Sequence, residues 1–325
     1  MSTIHGSLLN KSPASNLNTR ERHYLSQYNM QHLVVKTMED AVRKGKLKLE
    51  STVRKLTFRK LSKAFFAISP SQREMDTLLK AIKLFEIFFG NNENVKSGEE
   101  FIYGAGAVLI CSKMYESQPI SITKFTHELK CSKEQILFAE AEVARACNFF
   151  FSPTTEIDML GLILFTVGNK LERKLIESLI TKAERVMLMI NFSSHSFLAK
   201  TIQVSIGLTL FVIEISKEKE FKSENNNASQ ENSQNVNQKL AKNESQHSMK
   251  KLVHNFSQLS ASQEDRNFDL MKNQRDLANL SREIGEWVGK KWGFAQRDCE
   301  LFKNSVRVLY EDCLRENKED ISPSS

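Results

Sequence analysis

Two opposite charges stand where apolar helical runs give out. Gly104-Ala105-Gly106-Ala107-Val108-Leu109-Ile110-Cys111-Ser112-Lys113 is an apolar run with small residues on one face and a lysine at its end. Glu140 lies in Phe138-Ala139-Glu140-Ala141-Glu142-Val143, a second stretch whose composition reads as a largely buried helix. Together they predict a prepared polar pair at the edge of a core. Taken singly, a lysine in the last turn of a helix favours the helix dipole, and a glutamate on a helix face is ordinary. The surrounding pattern singles them out.

Other residue types capable of chemistry do not converge. Gly104-x-Gly106 lacks a third glycine and a preceding strand, so it reads as close helix packing rather than a phosphate loop. The seven histidines are scattered, with no metal-ligand spacing to cysteines or acids. No G-x-S-x-G and no set of kinase motifs is present. The five cysteines, Cys111, Cys131, Cys147, Cys299 and Cys313, contain no C-x-x-C pair. Their odd number, without a secretory start, fits a reducing compartment. The expectation is a protein that is not an enzyme, with no cofactor, metal or small-molecule substrate.

The elements that position the pair read as helices. Only 12 glycines and 5 prolines occur in 325 residues, too few for the tight turns of an all-β fold. The net charge is +7, much of it between Arg43 and Lys63, which reads as a solvated helix face. The longest apolar run, Ile202 to Ile215, is interrupted by Gln203, Ser205 and Glu214 and predicts a buried helix rather than a membrane span.

Residues 1–18, rich in Ser and Asn, predict a disordered tail. An amphipathic helix follows over Thr19 to Arg43, within an extension spanning 19–50. Five helices are then expected over Leu56–Ile68, Ser71–Phe89, Gly98–Tyr115, Ser121–Leu129 and Ser132–Phe149. Ser71 with Glu74 and Ser132 with Gln135 have capping-box spacing, and Gly90-Asn91-Asn92 is placed to close the second helix. Pro153 ends a first unit of 51–153. Helices over Thr155–Val167, Leu171–Ile190, Ser196–Ser216, Phe268–Val288 and Gln296–Leu314 form a second unit of 154–316. It is interrupted at 217–250 by a polar insert expected to be disordered, and 317–325 is a polar tail. The fold class is therefore all-α, two tandem five-helix bundles.

Leu56 to Thr154 is similar to the N-terminal cyclin box. The second helix of that family appears as Ala81, Leu84-Phe85, Glu86 and Phe88-Phe89, and the third as Gly104 to Lys113 with Glu116. Pro119, Phe125, Ser132 to Leu137 and Asn148-Phe149 continue the likeness. The family's signature residues fall on Arg59, Glu86, Ile102, Lys113 and Glu140. The resemblance implies that Arg59 and Glu86 pair and brace the first helix. It also implies that Lys113 and Glu140 bind the backbone of a kinase at the start of its mobile C-helix, with Phe149 and Phe151 receiving that helix. No tryptophan lies between Leu56 and Ile68, so the family's substrate-docking patch is not expected. Phe197–Ile206 and Glu286–Tyr310 resemble a divergent second cyclin fold.

The resemblance implies a regulatory subunit in a heterodimer with a cyclin-dependent kinase, in nucleus or cytoplasm, with no membrane or nucleic-acid partner. A rival is a cyclin-fold transcription factor that uses basic helix faces on promoter phosphates. A third reading is a degenerate cyclin acting as a scaffold. Ser12-Pro13 and Ser322-Pro323 fit proline-directed phosphorylation, and Arg22-His23-Tyr24-Leu25 fits a degradation box; both patterns are degenerate.

Overall fold

The computed structural model describes residues 34–68, 74–92, 95, 98–168, 171–193, 198–227 and 270–319. The expected tail at 1–18, most of the helix from Thr19, and the Ser71 cap lie outside these residues. The described residues form eleven helices and no strand. They are α1 (Val34–Lys48), α2 (Ser51–Ala67), α3 (Met75–Asn91), α4 (Glu100–Tyr115), α5 (Ile122–Leu129), α6 (Lys133–Ala146), α7 (Glu156–Val167), α8 (Arg173–Asn191), α9 (Thr201–Asn227), α10 (Leu270–Trp292) and α11 (Gln296–Glu319).

The chain divides into two compact units. Residues 1–169 with 191–205 form the first, and 170–190 with 206–325 the second. Helix α7 thus packs in the first unit, although the sequence reading placed it at the start of the second. Asp158 and Glu156 at its N-terminus bind Lys80 and Lys83 of α3, and Ile157, Leu160, Ile163 and Leu164 are buried.

Helix α3 is the centre of the first unit. Every residue from Thr77 to Phe89 is buried, because α1, α2, α4 and α6 all pack against it. Phe85 meets Phe58 and Phe89 at ring-centroid distances of 5.6 and 4.7 Å, and Phe88 stacks on Tyr103 at 4.7 Å. Each such ring contributes about 1.5–3 kcal/mol by leaving water. Backbones approach closely where side chains vanish. A Cβ on Gly90 would strike the carbonyl oxygen of Ala41, and one on Gly45 the carbonyl oxygen of Glu86. Helix α3 ends at Asn91 with Asn92 as its C-cap, within the expected closing run, and Gly90 in its last turn also lets α1 dock.

A helix buried all round normally carries no charge, yet α3 carries Lys80, Lys83 and Glu86 at successive three-residue steps. Each is matched. Lys80 binds Asp76 at 2.6 Å and Asp158 at 3.1 Å. Lys83 binds Glu156 at 2.5 Å and donates to Thr201 Oγ1 at 3.1 Å. Glu86 accepts from Arg54 at 3.0 Å, with Lys46 at 3.8 Å. The arginine that braces Glu86 is thus Arg54, not Arg59. Helix α2 starts at Ser51, before the expected Leu56, and so includes Arg54. Five residues separate the two arginines, about 140° around the helix axis, so Arg59 is on another side of α2. Arg54 also donates to Asn191 Oδ1 at 2.8 Å. Burial raises the Glu156 carboxyl pKa, but the ammonium groups of Lys83 and Lys46 outweigh it and hold the group below its usual value.

In the second unit, Leu277, Leu280, Ile284 and Val288 make the buried face of α10, and Val306 and Cys313 that of α11. A Cβ on Gly207 would strike the Phe302 carbonyl, so α9 and α11 touch by backbone. Glu214 holds Lys303 at 3.0 Å and also Arg307. Helix α9 runs to Asn227, so the first part of the segment expected to be disordered is helical. The rest of that insert lies outside the described residues. Helix α11 likewise extends to Glu319, into the expected tail.

Removing one partner of a buried ion pair strands the other, at about 3–5 kcal/mol. Urea unfolding of Lys80→Met should show a loss of that size, and Asp76→Asn/Lys80→Met/Asp158→Asn should recover most of it. Glu156 adds a pH signature. Its folded pKa is lowered, so its contribution is whole above the unfolded carboxylate value of about 4.3 and disappears as pH falls through the folded value. The urea midpoint should fall through that acidic range, and less steeply in Glu156→Gln.

Candidate functional site

Helices α4 and α6 cross in the first unit, and Gly106 sets how closely. A Cβ there would lie 2.7 Å from the Glu140 amide nitrogen and 2.8 Å from the Ala139 carbonyl carbon, both backbone. Lys113 follows Gly106 by seven residues, about two turns, so both project from one side of α4. The result is direct contact: Lys113 Nζ donates to Glu140 Oε1 at 2.5 Å. The two charges expected to stand side by side do so. Their exposures differ, 52 % for the lysine side chain and 18 % for the glutamate. The carboxylate is thus half sunk at the helix crossing, while the ammonium reaches into solvent.

Helix α6 is set by its ends. Ser132 accepts from the Gln135 N–H at 3.1 Å, and Gln135 Oε1 accepts from the Ser132 N–H at 3.0 Å, the expected reciprocal cap. At the other end Phe149 N–H donates to Ala144 O at 2.8 Å, and Asn148 N–H to Arg145 O at 2.9 Å. Neither Asn148 (φ 50°) nor Phe149 (φ 57°) is glycine, yet both occupy the left-handed region. Such residues store about 1–3 kcal/mol each and persist where surrounding contacts fix them.

Those contacts are visible. Asn91 Nδ2 donates to Ala146 O at 3.0 Å, and the Tyr115 hydroxyl donates to Phe151 O at 2.8 Å. The Tyr115 ring lies 5.2 Å from Lys80 Nζ, which links the loop to the buried charges of α3. Burial pushes the Tyr115 hydroxyl pKa up to about 12, so it remains a donor. The loop turns Phe149 outward, 68 % exposed, with its ring 6.3 Å from that of the half-buried Phe151.

The structure brings Lys113 and Glu140 into contact and pairs Phe149 with Phe151. Glu86 is buried with Arg54 as described, and Ile102 occupies the first turn of α4, half-exposed. The sequence reading missed Met114 and Leu137, both exposed apolar side chains, one beside Lys113 and the other a turn before Glu140. Their adjacency to the charged pair was the available signal. Among the described residues no group of His, Cys, Asp and Glu is placed to hold a metal ion. No helix among them is long and apolar enough to cross a membrane.

The Lys113–Glu140 pair is half in solvent, so it contributes little to stability, whereas Gly106 governs the spacing. Lys113→Met should shift the unfolding free energy by less than about 1 kcal/mol. Gly106→Ala should cost at least about 1–3 kcal/mol, since its methyl meets backbone. Gly104→Ala should cost less, because there the methyl meets the movable end of Leu61. Urea denaturation of the three variants checks this order.

Residues 14–152 match the family model for the cyclin N-terminal domain. No curated protein matches the chain. Among solved structures the chain is similar to a viral cyclin from herpesvirus saimiri. The identity is 14%, the coverage 82% of this chain and 98% of that one, and the TM-score 0.45. It is also similar to a chain of the CAK complex from Chaetomium thermophilum bound to ATP-γ-S. There the identity is 12%, the coverage 95% and 98%, and the TM-score 0.36.

Proposed function

Because residues 14–152 match the family model for the cyclin N-terminal domain, we propose that this chain is a cyclin-like regulatory subunit that binds and activates a cyclin-dependent protein kinase and performs no catalysis itself. It would act in the control of cell division or transcription, in nucleus or cytoplasm. The observation that carries this reading is the Lys113–Glu140 contact at the α4–α6 crossing, with α6 leading into the loop that bears the exposed Phe149.

The physical argument runs from stiffness to selectivity. Activity in such kinases needs the C-helix glutamate paired with the strand-three lysine, and the activation segment opened. A partner shifts that equilibrium only by binding the active arrangement more tightly. A close-packed helical wedge resists deformation and so can impose its shape. Lys113 donates to backbone carbonyls at the start of the kinase C-helix, and Glu140 accepts from N–H groups there. The two hold each other in position beforehand, which lowers the ordering cost of binding. Phe149, with Phe151, Met114 and Leu137, supplies apolar area that excludes water and strengthens those bonds.

Two charge-assisted bonds at about 1.5–3 kcal/mol each predict a large effect. Lys113→Ala/Glu140→Ala should weaken co-purification with a cyclin-dependent kinase by at least about a hundredfold, with helical circular dichroism unchanged. Wild-type binding by that folded variant contradicts the proposal.

A further inference from the structure

The segment that joins α6 to α7 is held at three points. Upstream, Asn91 Nδ2 donates to Ala146 O at 3.0 Å. In the middle, the Tyr115 hydroxyl donates to Phe151 O at 2.8 Å and accepts from the Ser152 side chain. Downstream, Asp158 Oδ2 accepts from the Thr155 N–H at 2.8 Å and from the Thr155 hydroxyl at 2.9 Å. Lys80 joins the last two holds: its ammonium lies 5.2 Å from the centre of the Tyr115 ring and 3.1 Å from Asp158 Oδ1. The base of Tyr115 is fixed as well. The buried Ser112 hydroxyl donates to Glu116 at 3.3 Å and accepts from the Ile120 N–H at 2.8 Å, which anchors the chain as it leaves α4.

The turn within this segment needs such restraint. Asn148 (φ 50°) and Phe149 (φ 57°) stand one after the other in the left-handed region, which side chains other than that of glycine avoid. Without a tether, the turn gains freedom to relax towards ordinary φ values, and the exposed Phe149 ring moves with it. The last turn of α4 carries Lys113, the exposed Met114 and Tyr115 in succession, so a charge, an apolar contact and the tether share one turn of helix. We propose that Tyr115 is a positioning residue for kinase recognition: its hydroxyl locks the 148–152 turn in the conformation that presents Phe149. It acts through Phe149 rather than by contact with the kinase. A surface ordered before the encounter binds more tightly, because the cost of ordering it does not fall on the complex. The hydroxyl is the group responsible, since it reaches Phe151 and Ser152 while the ring faces Lys80. Phenylalanine at this position keeps the ring and loses both bonds. This role rests on the kinase-binding reading above and adds to it a residue remote from the contact.

The test compares the full chain as wild type, Tyr115→Phe, Phe149→Ala and the double variant, each titrated calorimetrically with a cyclin-dependent kinase purified free of any cyclin. Tyr115→Phe should weaken binding about tenfold, the effect of a lost buried hydrogen bond. Phe149→Ala should weaken it at least as much. In the double variant the two losses should not add. Once the Phe149 ring is gone the tether has nothing to position, so the double variant should bind as Phe149→Ala does. Hydrogen exchange of the free chain supplies a readout that needs no kinase. In Tyr115→Phe the amides of Asn148, Phe149 and Phe150, which close the turn on Arg145, Ala144 and Cys147, should exchange faster, with those inside α4 and α6 unchanged. Wild-type affinity of Tyr115→Phe or of Phe149→Ala, additive losses in the double variant, or unchanged exchange over 148–150 overturns the positioning role alone. Absence of binding by the wild-type chain overturns the kinase-binding reading, and this role with it.

Discussion

The first unit depends on the neutralisation of charge inside helix α3. Lys80, Lys83 and Glu86 are buried where a solitary charge would cost several kcal/mol. Each therefore dictates the position of another element: Lys80 and Lys83 fix the N-terminus of α7, and Glu86 fixes α2 through Arg54. Hydrophobic burial alone would permit these helices to slide or rotate. Ion pairs with hydrogen-bond geometry do not, because a shift of one residue would strand a charge. The ladder contributes specificity of arrangement more than net stability. Its effect reaches the surface through Lys80, Tyr115 and the Phe151 carbonyl, which hold the loop that turns Phe149 outward.

The paired charges at the α4–α6 crossing rest on a different constraint. Gly106 lacks a side chain that would push α4 away from the backbone of Ala139 and Glu140. A single absent methyl thus sets the separation of two helices, and Lys113 two turns later meets Glu140 as a consequence. The pair is made by packing, with the acid mostly sunk in protein and the base open to solvent; we propose that it serves as a recognition element. In the proposed complex the kinase backbone replaces the water around both.

Much of this was legible in the sequence because helices announce themselves locally. The Ser132–Gln135 cap and the apolar runs located most helices, and the small residues of Gly104 to Ala107 correctly pointed to close packing. Thr155–Asp158 also forms a reciprocal cap, and its acid in place of Glu or Gln hid it. What escaped was long-range. Nothing local marks Lys80 and Lys83 as buried, because the acids of α7 that neutralise them lie 78 and 73 residues on. The resemblance placed the bracing arginine at Arg59, and Arg54 lay before the expected start of the helix at Leu56; the partner of a buried acid follows from helix phase. Gly90 belongs to the run that ends α3 and also admits α1; the second role is invisible in the sequence, because only a neighbour's backbone reveals it. The helix from Lys217 to Asn227 defied its polar composition because it continues the buried helix before it.

Hydrogen exchange on the full chain, with and without a cyclin-dependent kinase, tests the central claim most directly. The account predicts slowed exchange over the last turn of α4 and over 147–152, and loss of that protection when Lys113 and Glu140 are both alanine. Protection confined to other parts of the chain, with these segments exchanging as in the free protein, would contradict it.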